Sequence, residues 1–507
     1  MPDWTYHPLS PIASSLLGER RTRILALRML AVLVTKAGGR RWIPAVFDHT
    51  PPPPQLQGRL GATVPPSIAR EAVAVLPVQG ASLVEIGPVG PGDVAALRLA
   101  TADRSCRVIA YATDQTVAEA ISGFVDEVTV GPGADLVRLS DPDVDHAVDV
   151  LTDSRSTVLV TPAVLIDAGP GWFNRVYEAG TPTTPPQQFA DLGMNPRRWP
   201  AWFWGLLVGV GMVVAGLGAA AIALGPVLLW YDRDYLGASV NDLHSVNHHL
   251  VGFLIHDRLT MAGNMIGIGV LYIGLAVGGI RRGYGWARTA LLISGLFSFL
   301  TLFYFLVTGF VEPLHTLVVI VLFPMFVLAV WRRPATPHWS HIPSGPEAER
   351  RRALWGQLLM IGVGGGLFVA GAVISTVGLT TVFVPTDVSF LGGSAATPRL
   401  YAEPNLLTFI AHDRAGFGGA LMGSGLAVLL ISMWGWRRGQ RWVWWALLSG
   451  CAAGTLPVLV IHFSIGYTHF EHLLPVYVLI VVVVTALWLS RPYLGARVAA
   501  ADLVREG

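Results

Sequence analysis

The sequence predicts a two-part chain: a cytosolic α/β domain, then an all-α polytopic membrane domain of eight helices built as two parallel four-helix repeats. Three observations predict it. Of 507 residues, 52% are hydrophobic and only 13% charged, whereas a soluble protein carries about a quarter charged residues, so much of the chain must avoid water. Charge density drops abruptly near Pro200, beyond which long apolar runs alternate with short polar gaps. The second half of that region then repeats the first, FLIHDR ending at Arg258 returning as FIAHDR ending at Arg414. A formal net charge of +2 gives no reason to expect a nucleic-acid partner. The two cysteines, Cys106 and Cys451, provide neither a disulfide framework nor a cysteine-based metal site.

The α/β domain is expected over residues 1–198. Its first residues, MPDWTYHPLS, are neither basic nor followed by a signal-type apolar core, which predicts a cytoplasmic location. Glu19 to Lys36 reads as a basic amphipathic helix with Ile24, Leu25, Leu27, Leu30, Ala31 and Val34 on its apolar side, suited to a membrane surface or to packing on the domain. Short apolar strands are expected at Leu83–Ile86, Arg107–Ala112, Glu127–Val130 and Thr157–Val160, with helical stretches near Ser67–Leu76 and Thr116–Val125. Strands alternating with helices predict a parallel sheet, truncated relative to the eight units of a full barrel.

Two segments carry a family resemblance. Tyr6-His7-Pro8-Leu9 with Leu17 to Leu30 (LGERRTRILALRML), and Val84 to Asp93 (VEIGPVGPGD), resemble the start of the membrane-associated, quinone-linked dihydroorotate dehydrogenases. The resemblance covers about the first 95 residues and implies a TIM-barrel-like fold, FMN, and quinone reached through N-terminal helices. Where that family has a glycine-rich loop with a lysine, this chain reads LGATVPPSIA (Leu60 to Ala69), and no serine base can be assigned. The domain is therefore expected to be a truncated, non-catalytic relative. Gly87, Gly90 and Gly92 could line an anion site, although glycine in a turn is the commoner explanation.

Eight spans of the length a bilayer needs are expected near Trp202–Trp230, Leu259–Ile280, Thr289–Gly309, Thr316–Trp331, Leu354–Val384, Ala415–Trp436, Trp442–Ile461 and Leu473–Leu489. They divide into a first repeat over 199–334, a cytoplasmic linker over 335–353, a second repeat over 354–490 and a tail over 491–507. Arginine clusters at 197–198, 281–282, 332–333, 350–352, 437–441 and 491–497 all fall on one side. Both termini are thus expected in the cytoplasm of a multi-pass cell-membrane protein. Tryptophans 202, 286, 331, 434, 436 and 442 mark an aromatic belt on that side.

Self-similarity extends well beyond the triplets. At an offset of 156 (412 − 256), Gly263, Gly267 and Gly269 answer Gly419, Gly423 and Gly425, and Trp286 answers Trp442. His315 answers His472 at 157, while Asp232 answers Asp387 at 155. Four spans per copy insert both copies in the same sense. The pairs Gly263/Gly267 and Gly419/Gly423 read as small-residue faces for close helix packing.

Ligand-binding candidates follow from this topology. His256, Asp257 and Arg258, with His315 and Asp232, are expected at the outer ends of the first copy's spans; His412, Asp413 and Arg414, with His472 and Asp387, at those of the second. The structural reading pairs Asp with Arg at a helix N-terminus. The binding reading makes one small-ligand or ion site per repeat, since His with Asp can move protons or hold a cation. A third reading holds haem between His256 and His315 and between His412 and His472. His462 and His469, without counterparts in the first copy, weaken a symmetric metal argument, so no metal is assigned, and neither a catalytic residue nor a cofactor is fixed. Three functional classes follow: a small-ligand or ion-binding membrane protein, a membrane oxidoreductase using quinone, haem or flavin, and a non-catalytic partner of another membrane complex.

Overall fold

The computed structural model describes residues 3–47, 52–153, 156–181, 186–303, 310–332, 345–393 and 404–497. It divides into two compact units, one of residues 1–183 with 339–355 and 497–507, the other of residues 184–338 with 356–496.

The first unit contains a six-stranded, all-parallel sheet. Its strands are β1 (Leu60–Val64), β2 (Leu83–Val89), β3 (Arg107–Ala112), β4 (Glu127–Val130), β5 (Leu136–Leu139) and β6 (Thr157–Val160). The order β4-β3-β2-β1-β6-β5 pairs every strand with its sequence neighbour except β4 with β5, and joins the first to the last. Parallel strands need both faces covered, and burial shows both. One face aligns Val160, Ala62, Val84 and Val108 in register, all inside the main core with Trp172, Phe173 and Tyr177 of the Trp172–Ala179 helix. On the other face Leu83, Ile109 and Leu159 form a second cluster.

That second face also carries Glu85, 1% exposed, which accepts two hydrogen bonds from Arg138, one of them from Nε at 3.1 Å. Since β2 and β5 are not ladder neighbours, the sheet must curl for these side chains to meet. The result is a curled, open parallel sheet. Gly87 leaves room for Tyr111, whose ring would stand 2.5 Å from a Cβ at that position. The Gly90 N–H donates to Asp93 Oδ2 at 3.0 Å, so this loop supplies its own carboxylate, as a turn does.

Helix Glu19–Lys36 forms with the expected bounds. Strands β1 and β5 are additions to the expected set: β1 runs through the segment expected to stand in for a flavin loop. Residues 345–355, which include part of the expected cytoplasmic linker over 335–353, cluster with this unit. Arg350 donates to Asp3 at 3.1 Å and to the Ala168 carbonyl at 2.9 Å.

The second unit is a polytopic membrane helix bundle. Among the described residues seven helices are long and apolar enough to cross a bilayer: Ala201–Leu224, Leu250–Arg282, Pro313–Trp331, Glu347–Leu379, Asn405–Trp434, Arg441–Ile465 and Phe470–Gly495. The third expected span coincides with helix Gly285–Phe303, and its far end, 304–309, lies outside the described residues. The two helices carrying the HDR triplets are the central ones, 72% and 67% buried against 22–28% for the other five.

Their packing is reciprocal between the sequence copies. Gly263 and Gly267 face the Arg441–Ile465 helix of the second copy, where added Cβ atoms would stand 2.8 Å from the Ala453 carbonyl oxygen and 2.7 Å from that of Gly450. Gly419 and Gly423 likewise face Thr301 and Ser298 on the Gly285–Phe303 helix of the first copy. Trp286 stacks on its own counterpart Trp442 at 6.0 Å. Each central helix therefore docks on the other copy's third helix, with backbones brought together by absent side chains.

Candidate functional site: two buried polar clusters shared between the copies

Each triplet lies inside its helix rather than at the end. The helices start at Leu250 and Pro404, and all six triplet residues are buried, between 1% and 7% exposed. The triplets, expected at the outer ends of their spans, begin six and eight residues past the helix starts (256 − 250 and 412 − 404) and are buried against the bundle. Two buried histidines, two aspartates and two arginines at this depth need mutual compensation, because an isolated ion inside a bundle is expensive.

Compensation crosses between the copies. Arg258 donates through Nε to Asp413 Oδ2 at 2.8 Å and through Nη1 to Asp232 Oδ2 at 3.3 Å. Arg414 mirrors it, with Asp257 Oδ2 at 3.2 Å and Asp387 Oδ2 at 2.6 Å. Asp therefore pairs with the Arg of the other copy, not with its own neighbour. Each arginine also receives a carbonyl, from Val227 and Val382 respectively. Both valines hold a positive φ, 58° and 62°, a conformation that β-branched residues strongly disfavour. Such strain costs on the order of 1–3 kcal/mol and persists only where its surroundings impose it. Here the carbonyls are turned toward the guanidinium groups at counterpart positions (382 − 227 = 155).

The aspartates' second oxygens orient the histidines. Asp257 Oδ1 accepts from His256 Nδ1 at 2.9 Å, and Asp413 Oδ1 from His412 Nδ1 at 3.1 Å. A carboxylate on Nδ1 fixes the tautomer and frees Nε2 for another partner. Around these Nε2 atoms two groups converge: His256, His462 and His472; and Glu312, His315 and His412. In each group the available ligand atoms all lie within 4.8 Å of one another. The bundle thus contains buried His/Glu/Asp clusters capable of coordinating an ion.

Within-copy pairing of His256 with His315 and of His412 with His472 is replaced. His256 meets His472, with ring centroids 6.1 Å apart, and His412 meets His315 at 5.3 Å. His462, set aside for want of a counterpart, stands with its Nε2 3.1 Å from that of His256. Glu312 carried no weight in the sequence reading, although its position three residues before His315 was the available signal. It approaches His315 Nδ1 directly and lies 3.9 Å from His412 Nε2. His469 is exposed and belongs to neither group. Asp232 and Asp387 each accept a hydrogen bond from an arginine, Arg258 and Arg414 respectively.

The environments of the two clusters differ. Tyr467 donates to Asp387 Oδ1 at 2.8 Å, and its ring lies 4.4 Å from His472, 5.5 Å from His462 and 5.6 Å from His256. Burial, then the Asp387 carboxylate, pushes its phenol above the ordinary range, so it remains a donor. Phe310 takes the counterpart position (467 − 310 = 157), 5.0 Å from His412. Asp232 Oδ1 accordingly has no hydrogen-bond partner among the described residues. Burial, outweighing Arg258, raises the Asp232 carboxyl. Tyr231 instead donates to Glu312 Oε1 at 3.2 Å. Burial alone would raise Glu312, but the His315 ring beside it reverses the balance and holds that carboxylate below its usual range. No family model, no curated protein and no solved structure matches this chain.

Proposed function

We propose that the chain is a multi-pass membrane protein, assembled from two parallel four-helix repeats, that binds one small cation in each of the two shared clusters. The His256–His462 contact carries this reading. His462 Nδ1 donates to the Val458 carbonyl at 2.7 Å, and a carbonyl can only accept. His256 Nδ1 donates to Asp257, itself bound by Arg414. The two Nε2 atoms stand 3.1 Å apart, a contact that needs either a proton or a metal ion shared between them. Two imidazoles on one tetrahedral ion, each with a metal–nitrogen bond of about 2.0–2.1 Å, place their nitrogens about 3.3 Å apart. Opposite axial ligands of a haem iron would stand about 4 Å apart, a poorer fit.

Charge supports the same conclusion. Asp232, Asp257, Asp387, Asp413 and Glu312 set five carboxylates against the two guanidinium groups of Arg258 and Arg414. Ionised together they leave three negative charges in a low-dielectric interior, and protons or metal ions must supply the difference. Arginine placement supports a cytoplasmic face for both termini, which turns the clusters toward the opposite side. In the α/β unit, a curled parallel sheet paired in sequence order except between β4 and β5 supports the reading of a truncated dihydroorotate dehydrogenase relative.

Titration of the purified full-length protein with Co2+ and Zn2+ tests the proposal. Two equivalents should bind, with cobalt absorption of a nitrogen-rich site, and His462→Ala and His412→Ala should each remove one. Absence of binding, or stoichiometry unchanged in His462→Ala, overturns it.

A further inference from the structure

The two clusters are not copies of one site. Two ligands in each come from counterpart positions, His256 with His412 and His472 with His315. The third does not. His462 rises from the Arg441–Ile465 helix, and its counterpart position (462 − 157 = 305) is a phenylalanine outside the described residues. Glu312 precedes the Pro313–Trp331 helix, and its counterpart (312 + 157 = 469) is the exposed His469. Duplication alone would have given matching third ligands. Here each cluster draws its third ligand from a different place, and of a different chemical kind.

We infer that the two clusters take different classes of metal ion: His256/His462/His472 a borderline, imidazole-preferring ion such as Zn2+, and Glu312/His315/His412 a site that also admits the harder Mn2+ or Fe2+. This rests on the cation-binding reading above. Three imidazoles offer no anionic oxygen, and imidazole suits zinc and copper, whereas carboxylate suits manganese. Tyr467 keeps aromatic surface against all three rings, while its hydroxyl donates to Asp387 and lies 3.3 Å from His472 Nδ1. In the second cluster Tyr231 occupies Glu312 Oε1, and both histidines approach Oε2. One carboxylate oxygen and two imidazoles then form the two-histidine, one-carboxylate set that binds Fe2+ and related ions with open positions. Histidine orientation by Asp257 and Asp413 is the same in both, so the third ligand alone separates the classes.

Manganese electron paramagnetic resonance on the full-length protein, beside a Zn2+ titration, tests this. One Mn2+ and two Zn2+ should bind per chain. His462→Ala should keep the Mn2+ and lose one Zn2+. Glu312→Gln should weaken Mn2+ by about tenfold or more. Glu312→His, which makes the second cluster all-imidazole, should lose Mn2+ yet still bind two Zn2+, and that retention shows the variant is folded. Two Mn2+ per chain, or loss of Mn2+ in His462→Ala rather than in Glu312→His, would overturn the division while leaving cation binding intact. A chain that binds neither ion overturns both.

Discussion

Replacing Arg414 by methionine removes one cation from the centre of the helical unit and strands two carboxylates. Arg414 reaches Asp257 Oδ2 at 3.2 Å, Asp387 Oδ2 at 2.6 Å and the Val382 carbonyl at 2.7 Å. The two aspartates are 2% and 0% exposed, so water cannot replace the guanidinium. Breaking a buried pair from one side costs about 3–5 kcal/mol, roughly two to three and a half orders of magnitude in the folded-to-unfolded ratio. Arg258→Met should cost less, because Asp232, its weaker partner at 3.3 Å, already has a raised carboxyl and takes a proton more readily. Equilibrium unfolding in mixed micelles measures both. Asp257→Asn should recover part of the loss in Arg414→Met, and none in Arg258→Met. A loss below about 1 kcal/mol in Arg414→Met, or equal rescue of both arginine variants, would refute pairing across the copies.

Other consequences concern packing and titration. Gly267→Ala should destabilise by about 1–3 kcal/mol, because the new methyl meets a backbone oxygen at 2.7 Å. Gly423→Ala should cost less despite a 1.9 Å approach, since the Ser298 hydroxyl it meets can rotate; the reverse ranking in the same unfolding assay contradicts the packing. Burial, then Arg350, holds His7 below its ordinary 6.5, so only the unfolded chain gains that proton as pH falls. Its contribution is whole above 6.5 and declines below, as hydrogen exchange of the α/β unit at pH 7.5 and 5.5 should show; His7→Gln should flatten the slope, and an unchanged slope refutes the assignment. Asp3, lowered from 3.8 although burial opposes it, because Arg175 and Arg350 outweigh burial, loses its contribution only in more acidic solution. Burial and Asp126 push the Cys106 thiol up to about 11. In a Cys451→Ser background its alkylation at pH 8 should therefore run roughly two hundredfold slower than that of free cysteine, whose pKa is about 8.5; a rate within tenfold of the free thiol would contradict this.

What was legible in the sequence follows from the strength of each local signal. Glu19–Lys36 was readable to the residue because its apolar side recurs at helical spacing and Gly18 and Gly38 bracket it. Strand β1 was not, since Gly61 and Ala62 dilute its β-character; they are small because Gly61 lies against Leu83, whose carbonyl oxygen would be 2.2 Å from a Cβ. Strand β5 is short and carries Arg138, which turns inward to Glu85 instead of marking an exposed face. The duplicated triplets are plain, but their burial is not: polar HDR reads as a span boundary because part of its compensating charge is supplied by the other copy. Spacing within a copy is identical whether histidines pair inside it or across it, so only the packing of each central helix on the opposite copy could decide. His462 was discounted for lacking a counterpart, and that same asymmetry now distinguishes the clusters.

X-ray absorption at the metal edge of the full-length protein, loaded with one equivalent of Zn2+, addresses the central claim most directly. The account predicts a first shell near about 2.0 Å dominated by nitrogen, with an outer-shell imidazole pattern that collapses only when His256 and His412, one from each cluster, are both replaced by Ala. An oxygen-only shell, or a spectrum indifferent to that double substitution, would contradict it.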